Sequence, residues 1–295
     1  MATDIEEFAH DFGHAMIANR ASLFLGAGVS RPFGVPDWAS YLSLVADRAN
    51  PATRSRSHLQ PSEANPLVLA RYIRESLQDK TSFNILLQKC LYESYNDNQD
   101  DAVMRAILNL ISFSVQRRMR FKVITYNFDC ILEKFIDDYG IGLRYVSYDF
   151  SSRGEEDAPV SIFHCHGKLP FEMGDPEAVK LIFDETEYHS VYYDQYNRSN
   201  LNQINSFIED TCVFIGTSLT DPNTRRLLDY AKAQRGREAP HYIFRKRLHP
   251  MDGEAAKEIE EIFDVDAKSL GCRNIWVADF SEIAEILSKV RPAPR

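Results

Sequence analysis

Hydrophobic positions along this chain follow two different spacings, and the change from one to the other marks the predicted elements. Apolar residues recur at helical spacing over residues 5–17, which predicts an N-terminal helix packed on a sheet. Short continuous apolar runs follow, as is typical of parallel strands covered on both faces. They predict strands at residues 22–25, 121–126, 144–148, 161–164, 180–183, 212–215, 241–244 and 274–278.

Helical patterns separate most of these runs. They cover residues 38–49, much of 67–120, where no strand is evident, 131–136, segments between 184 and 209, 253–263 and 281–287. This alternation predicts an α/β fold with an open, doubly wound, mostly parallel sheet. We expect one domain over residues 1–295 with a helical insertion at about 50–120. Residues 50–66, rich in Pro, Ser and Asn, are predicted to form a mobile loop or lid.

Composition narrows the class of protein. The chain has 295 residues, 44% of them hydrophobic and 26% charged, as in ordinary globular proteins. We see no signal peptide and no long apolar run, so we expect a cytoplasmic protein without a membrane partner. The net charge of −9 argues against direct nucleic-acid binding. The five cysteines include no CxxC pair, so no structural zinc module is expected.

The first predicted strand runs directly into a glycine loop, Gly26-Ala27-Gly28-Val29-Ser30. Glycine lets a ligand approach the main chain closely, and free N–H groups beyond a strand end can hold a pyrophosphate. We also expect positive φ at Gly26 and Gly28, which a β-branched residue would resist. Asp37 is positioned to cap the next helix. The loop is neither GxGxxG nor a P-loop, because no Gly-Lys-Ser/Thr follows it.

Three later strands also end in polar residues. These ends carry Asn127 and Asp129, then His166, and then Gly216 and Ser218. In a doubly wound sheet such ends converge at one edge, where ligands bind. Taken singly, Asn127 and Asp129 could cap a helix, and His166 could be a hydrogen-bonded structural histidine.

His164 and Asp221 carry open alternatives. His164 and His166 would share one face of a strand and could bind a metal, but no third ligand is evident nearby, so His164 is interpreted as a support for the site. Asp221 either caps a helix or contacts an adenosine. We expect no bound metal.

The motifs GAGVS with GVPDW, TYNFD, HCHG and GTSLTD resemble, in order and spacing, those of the sirtuin family over residues 24–221. The resemblance implies a Rossmann-like domain that takes NAD as its substrate and cleaves the nicotinamide–ribose bond. Gly26, Ala27, Gly28 and Ser30 would then line the phosphates, and Asp37 in the same motif would also belong to the NAD-binding residues. The resemblance further places Asn127 at the ribose, Asp129 at the carboxamide, His166 as the base, and Gly216 and Ser218 at the phosphates or adenosine ribose.

Departures from protein-deacetylating sirtuins refine this expectation. Trp38 and Ala39 stand where those enzymes have Phe-Arg, and their two zinc-binding cysteine pairs are missing. The helical segment before TYNFD resembles bacterial sirtuin-like NADases of antiphage defence. We therefore expect an NAD glycohydrolase that depletes NAD during infection. An NAD-dependent protein deacylase and a non-catalytic nucleotide sensor remain alternatives.

An enzyme that destroys NAD requires control. The final predicted strand and helix end shortly before residue 295, and we expect no sensor domain within the chain. Related defence NADases imply a homo-oligomer and a separate regulatory partner such as a defence ATPase. Apolar faces on the N-terminal helix and the helical insertion are the expected interfaces.

Overall fold

The computed structural model describes residues 2–49, 65–77, 79–140, 142–149, 152, 158–235, 241–248 and 253–290. Its strands are β1 (Ala21–Leu25), β2 (Phe121–Thr125), β3 (Tyr145–Asp149), β4 (Val160–His164), β5 (Thr211–Ile215), β6 (His241–Lys246) and β7 (Cys272–Val277). Its α-helices are α1 (Ala2–Ile17), α2 (Trp38–Ala49), α3 (Pro66–Ser76), α4 (Lys80–Tyr92), α5 (Ala102–Gln116), α6 (Ile131–Tyr139), α7 (Glu185–Tyr193), α8 (Arg198–Glu209), α9 (Pro222–Gln234), α10 (Gly253–Ser269) and α11 (Glu282–Ser288).

The strands form one seven-stranded sheet in the order β3-β4-β2-β1-β5-β6-β7. Every neighbouring pair is parallel. The chain moves outward from β1 on one side through β2 and on the other side through β5, so the sheet is doubly wound about β1. The predicted Rossmann-like α/β fold is confirmed. The strands β4, β2, β1 and β5 are neighbours, and their carboxyl ends therefore meet at one edge.

The central strands are apolar along their whole length because helices cover both faces of the sheet. β1 and β5 are buried at every residue. On one face, Phe8 of α1 packs edge-on against Tyr242 and Phe244 of β6, at ring-centroid distances of 5.1 and 5.4 Å. On the other face, Phe24 of β1 stacks on Phe207 of α8 at 4.9 Å. The predicted packing of the N-terminal helix on the sheet is confirmed.

The helical region before β2 also follows the sequence prediction. It contains α3, α4 and α5, and α5 packs against β2 and α11. The predicted loop at 50–66 lies outside the described residues, except that Asn65 caps α3 and Pro66 begins it. Among the described helices, none combines the length and apolarity that a bilayer crossing requires.

One predicted strand is wrong. Residues 180–183 form no strand and join no sheet, and the Ile182 N–H donates to the carbonyl of His166 at 2.8 Å. Leu181, Ile182 and Phe183 are buried. The segment is therefore apolar because it crosses the protein interior beside the end of β4, and a short apolar run does not distinguish such a segment from a strand.

Candidate active site

A cavity of about 1300 Å³ opens at the carboxyl edge of the sheet. This volume exceeds the range of about 300–1,000 Å³ that is usual for pockets of drug-sized ligands. The cavity therefore has room for a ligand as long as a dinucleotide. Six neighbouring strands, β4, β2, β1, β5, β6 and β7, contribute residues to its wall from their ends or from the loops that follow them. Nine of the ten residues predicted for the site line it, namely Gly26, Ala27, Gly28, Asp37, Asn127, Asp129, His166, Gly216 and Ser218.

The glycine loop is fastened to the loop after β5. The N–H groups of Gly26 and Gly28 donate to the carbonyls of Ile215 and Gly216 at 3.0 and 2.8 Å. A Cβ atom on Gly26 would lie 2.6 Å from the Gly216 carbonyl oxygen, and one on Gly28 would lie 2.6 Å from the Gly216 Cα. Glycine is needed here because two backbones touch.

The expectation of positive φ at Gly26 and Gly28 is wrong. Gly26 is extended, with φ of −115°, and Gly28 is not among the positive-φ residues. The left-handed conformation belongs to the facing residue Gly216, with φ of 70°. The N–H groups of Gly26, Gly28, Val29 and Ser30 all donate to backbone carbonyls. These four groups therefore hold the loop together and do not form the cradle of free N–H groups expected for a phosphate.

Asn127 is held through its amide nitrogen. Nδ2 donates to the Gly26 carbonyl and to the Ser30 Oγ, both at 3.1 Å. A carbonyl only accepts hydrogen bonds, so the contact with Gly26 fixes which end of the amide is the nitrogen. Within the described part of the chain no group donates to Oδ1, which is the amide atom left for a ligand. Asn127 is a wall residue and caps no helix.

Ser30 lies behind the cavity wall, where its hydroxyl connects two site residues. Its Oγ accepts from Asn127 and donates to Asp129 Oδ1 at 2.9 Å. Asp129 Oδ1 also accepts the Ile131 N–H at the start of α6 at 3.1 Å, although the N-cap residue of this helix is Cys130 and not Asp129. Burial raises the pKa of Asp129 to about 6, although both hydrogen bonds oppose this increase.

His164 supports the site from beneath, as interpreted from the sequence. Its Nδ1 lies 3.0 Å from the main-chain carbonyl of Asn127, and its Nε2 lies 2.6 Å from Glu133 Oε1. Burial by itself lowers the pKa of His164, but the Glu133 carboxylate reverses this effect and raises the pKa above its ordinary value. Burial would likewise raise the pKa of Glu133, and the adjacent His164 lowers it. The two residues form a buried ion pair.

The expectation that no third metal-ligating residue lies near His164 is wrong. The donor atoms of Cys130, Glu133 and His164 all lie within 4.8 Å of one another. A protonated His164 has no lone pair for a metal, because both ring nitrogens carry hydrogens. Burial raises the pKa of Cys130 well above its usual value, which keeps it a thiol. The residues present suit an ion pair better than a metal centre.

His166 occupies a different environment from His164, and the two do not converge. Its side chain is 14% exposed and lies between the rings of Tyr126 and Tyr188, at centroid distances of 5.5 and 5.6 Å. Burial lowers the pKa of His166, and the Asp221 carboxylate opposes this decrease. His166 is therefore neutral near pH 7, the state in which a histidine accepts a proton.

Asp37 and Trp38 form the wall on the α2 side. Asp37 Oδ1 accepts the Ser40 N–H at 2.9 Å, which confirms the predicted cap and holds the pKa of Asp37 below its usual value. The Trp38 ring packs on Phe128 and Phe183 at centroid distances of 6.1 and 5.3 Å. Trp38 and Phe128 line the cavity, and Phe128 lies between Asn127 and Asp129 in the sequence.

Sequence reasoning missed several cavity residues. Ser218 was predicted. Its hydroxyl is hydrogen-bonded to the Thr220 hydroxyl at 2.8 Å, and its carbonyl accepts a hydrogen bond from Arg245 at 3.2 Å. Arg245 and Lys246 at the end of β6 extend the wall, and Tyr188 enters it from α7. Strand-end polarity could have indicated Arg245 and Lys246, whereas nothing in the α7 pattern indicates Tyr188.

A glycine loop, an Asn-x-Asp pair and a histidine thus line one cavity at the edge of a doubly wound parallel sheet, the arrangement that the resemblance to sirtuins implies. The SIR2-like domain model matches residues 122–264, in agreement with the resemblance that the motifs carry.

Three curated proteins that are similar to the chain have the same name. NAD(+) hydrolase ThsA from Bacillus cereus (strain MSX-D12) is 24% identical over 97% of this chain and 57% of its own length. NAD(+) hydrolase ThsA from Enterococcus faecium is 22% identical, over 95% of this chain and 57% of its own length. The protein of that name from Cytobacillus dafuensis is also 22% identical, over 98% of this chain and 56% of its own length. The chain thus spans a little over half the length of these relatives.

Proposed function

We propose that this protein is an NAD⁺ glycohydrolase, which cleaves the nicotinamide–ribose bond to give nicotinamide and ADP-ribose. The observation that carries the proposal is the convergence of Asn127, Asp129 and His166 with the glycine loop on one cavity of dinucleotide size. Similarity to proteins named NAD(+) hydrolase over nearly the whole chain supports it. NAD⁺ is the substrate, and we propose the cytoplasm as the place of action.

The chemistry assigns a task to each residue. As the C1′–N bond breaks, its electron pair goes to the departing nicotinamide nitrogen and the ribose gains oxocarbenium character. Asn127 Oδ1 accepts a hydrogen bond from the ribose and orients it without becoming a competing nucleophile. Asp129 accepts the carboxamide N–H. Water then forms the new C1′–O bond, and neutral His166 takes its proton.

A direct assay separates this function from the alternatives. Purified protein is incubated with NAD⁺, and free nicotinamide is measured by liquid chromatography with and without an acyl-lysine peptide. A glycohydrolase releases nicotinamide without peptide, a deacylase releases it only with peptide, and a sensor does not release it. Release only in the presence of peptide, or none, would refute the proposal.

Two variants test the site assignment within that assay. Asn127→Ala and His166→Ala should each lower turnover by about 10²–10⁴-fold, the usual contribution of a positioned acid–base or orienting group. The matched controls Asn98→Ala and His10→Ala change the same residue types at exposed positions and should retain full turnover. Folded site variants with normal turnover would remove these residues from the mechanism.

We further propose that NAD depletion serves antiphage defence, and that the enzyme works as a homo-oligomer with a separate regulatory partner such as an ATPase. Destruction of NAD would harm the cell without such control. The apolar face of α1 cannot supply the interface that we expected, because Phe8, Phe12 and Met16 are buried within the fold. Exposed apolar residues lie instead on α3, where Val68 and Tyr72 are more than half exposed.

A further inference from the structure

Asp221 is bound to more groups than a helix cap requires. It precedes α9, and its Oδ1 accepts both the N–H and the hydroxyl of Thr224 at 2.7 Å, which satisfies the first turn of the helix. The second oxygen, Oδ2, accepts the Tyr188 hydroxyl at 2.9 Å and lies 3.7 Å from the His166 Nε2. One carboxylate therefore joins α9, α7 and the end of β4.

The charge around His166 comes from Asp221. Within the described residues, Asp221 is the one carboxylate at ion-pair distance from His166. Burial raises the pKa of every other titratable group described as facing the pair, so these groups are uncharged near pH 7: Tyr126 from the end of β2, Cys165, and Tyr188 and Tyr192 from α7. On α9, the guanidinium of Arg226 lies over the Tyr192 ring and donates to Asn223 Oδ1.

We propose that Asp221 is a positioning residue for His166. The Oδ2 of Asp221 stabilises the imidazolium that forms when His166 accepts a proton during NAD⁺ cleavage. This inference rests on the proposed function. In the structure as it stands, the 3.7 Å separation is longer than a hydrogen bond, as expected while the imidazole is neutral. Once the ring is protonated, charge attraction at this distance favours the product of the proton transfer.

Tyr188 moderates this effect because its phenol donates to the same oxygen. A hydrogen bond to Oδ2 disperses the negative charge that His166 would otherwise face. Removal of the carboxylate charge and removal of the phenol should therefore shift the pKa of His166 in opposite directions. A purely structural role for Asp221 predicts no such opposition.

The test measures the pKa of His166 directly. Protein labelled with ¹³C at histidine Cε1 is titrated by NMR, and the His166 signal among the eight histidines is assigned by its loss in His166→Gln. Asparagine caps helices as well as aspartate does, so Asp221→Asn retains the cap of α9 through Oδ1 and puts a neutral amide nitrogen in place of the charged Oδ2. We expect the pKa of His166 to decrease by about 1–2 units in Asp221→Asn. In Tyr188→Phe it should increase.

Asp79→Asn is the matched control, because Asp79 caps α4 through the Ser82 N–H and does not line the cavity. It should leave the pKa of His166 unchanged. An unchanged pKa of His166 in Asp221→Asn, or an unchanged or decreased one in Tyr188→Phe, would overturn the inference.

Turnover gives the second readout. In Asp221→Asn the acid limb of the kcat–pH profile should move to lower pH with the pKa of His166. The plateau should decrease about tenfold or more, since each unit of pKa is about tenfold in proton affinity. A shifted pKa with unaltered kcat would overturn the catalytic part. If the wild-type protein does not cleave NAD⁺, the proposed function fails, while the NMR titration still decides whether the His166–Asp221 pair exists.

Discussion

Asp129→Asn should make the protein more stable while it lowers NAD⁺ cleavage. Asp129 is 5% exposed, and its carboxylate is bound only through Oδ1, by Ser30 and Ile131. Asparagine has the same shape, and its Oδ1 can accept both hydrogen bonds. The substitution therefore removes a buried charge without opening a cavity.

The size of the gain follows from the pKa of Asp129, which burial raises from 3.8 to about 6. The unfolded chain ionises near pH 3.8, whereas the folded protein resists ionisation up to about pH 6. The cost of the charge is thus fully present above pH 6 and disappears as the pH falls below 4. Two units of pKa correspond to about 3 kcal/mol. In a chain of this size, that equals a rise in Tm of about 6 °C.

The assay is urea denaturation of both proteins at pH 4 and pH 7.5, with NAD⁺ turnover measured at pH 7.5. We expect Asp129→Asn to be the more stable protein at pH 7.5 and the difference to vanish near pH 4. Asp79→Asn is the control, because hydrogen bonds from Ser82 lower the pKa of Asp79 and its charge is not a burden on the fold. A stability difference of the same size at both pH values would refute the reasoning, and so would reduced stability at pH 7.5.

Three other predictions follow from the same contacts. Gly28→Val should lower both NAD⁺ affinity in calorimetry and stability, because its Cβ would lie 2.6 Å from Gly216, whereas Gly174→Val, which has open space, should change neither. Glu133→Ala should destabilise the fold to urea by about 3–5 kcal/mol by leaving His164 unpaired. That loss should be largest between about pH 4.5 and 6.5 and should decrease as pH rises through the raised pKa of His164. Light scattering should show a homo-oligomer, and a monomer with full, partner-independent turnover would contradict this proposal.

The fold could be predicted from the sequence because its strands are unusually uniform. β1 and β5 are apolar at nearly every position and buried throughout, so the central pair of the sheet is marked by composition alone. The segment at 181–183 has the same apolar character for another reason, since it is buried beside His166 but pairs with no strand. The spacing and hydrophobicity of residues indicate that a segment is buried. Only the backbone hydrogen bonds to a neighbouring strand distinguish a strand from a buried connection.

The sequence predicts which residues line the candidate site, but it does not predict the hydrogen bonds among them. Strand ends that become neighbours in a doubly wound sheet indicate that Asn127, Asp129 and His166 share one cavity. The sequence does not show that Ser30 connects two of them or that Asp221 faces the third. Such contacts depend on side-chain direction across elements up to about a hundred residues apart in the chain, as with Ser30 and Asp129.

The glycine loop is a second case in which the sequence does not reveal a contact with a distant segment. Two glycines separated by one residue suggest freedom of φ or access for a ligand, and both explanations concern the loop alone. The reason in this fold is external, because Gly216 lies against Gly26 and Gly28. Because the requirement for glycine comes from the facing residue Gly216, it cannot be inferred from the sequence of the loop itself.

The fixed amide of Asn127 determines what kind of molecule the cavity can select. Because Nδ2 is committed to Gly26 and Ser30, the side chain offers a ligand an acceptor and never a donor. A sugar hydroxyl satisfies that acceptor, whereas a ribose analogue with fluorine or hydrogen in its place leaves Oδ1 desolvated and unbonded. Loss of such a partner costs about 1–3 kcal/mol. We therefore expect the cavity to distinguish hydroxylated sugars from their deoxy and fluoro analogues through the Oδ1 of Asn127.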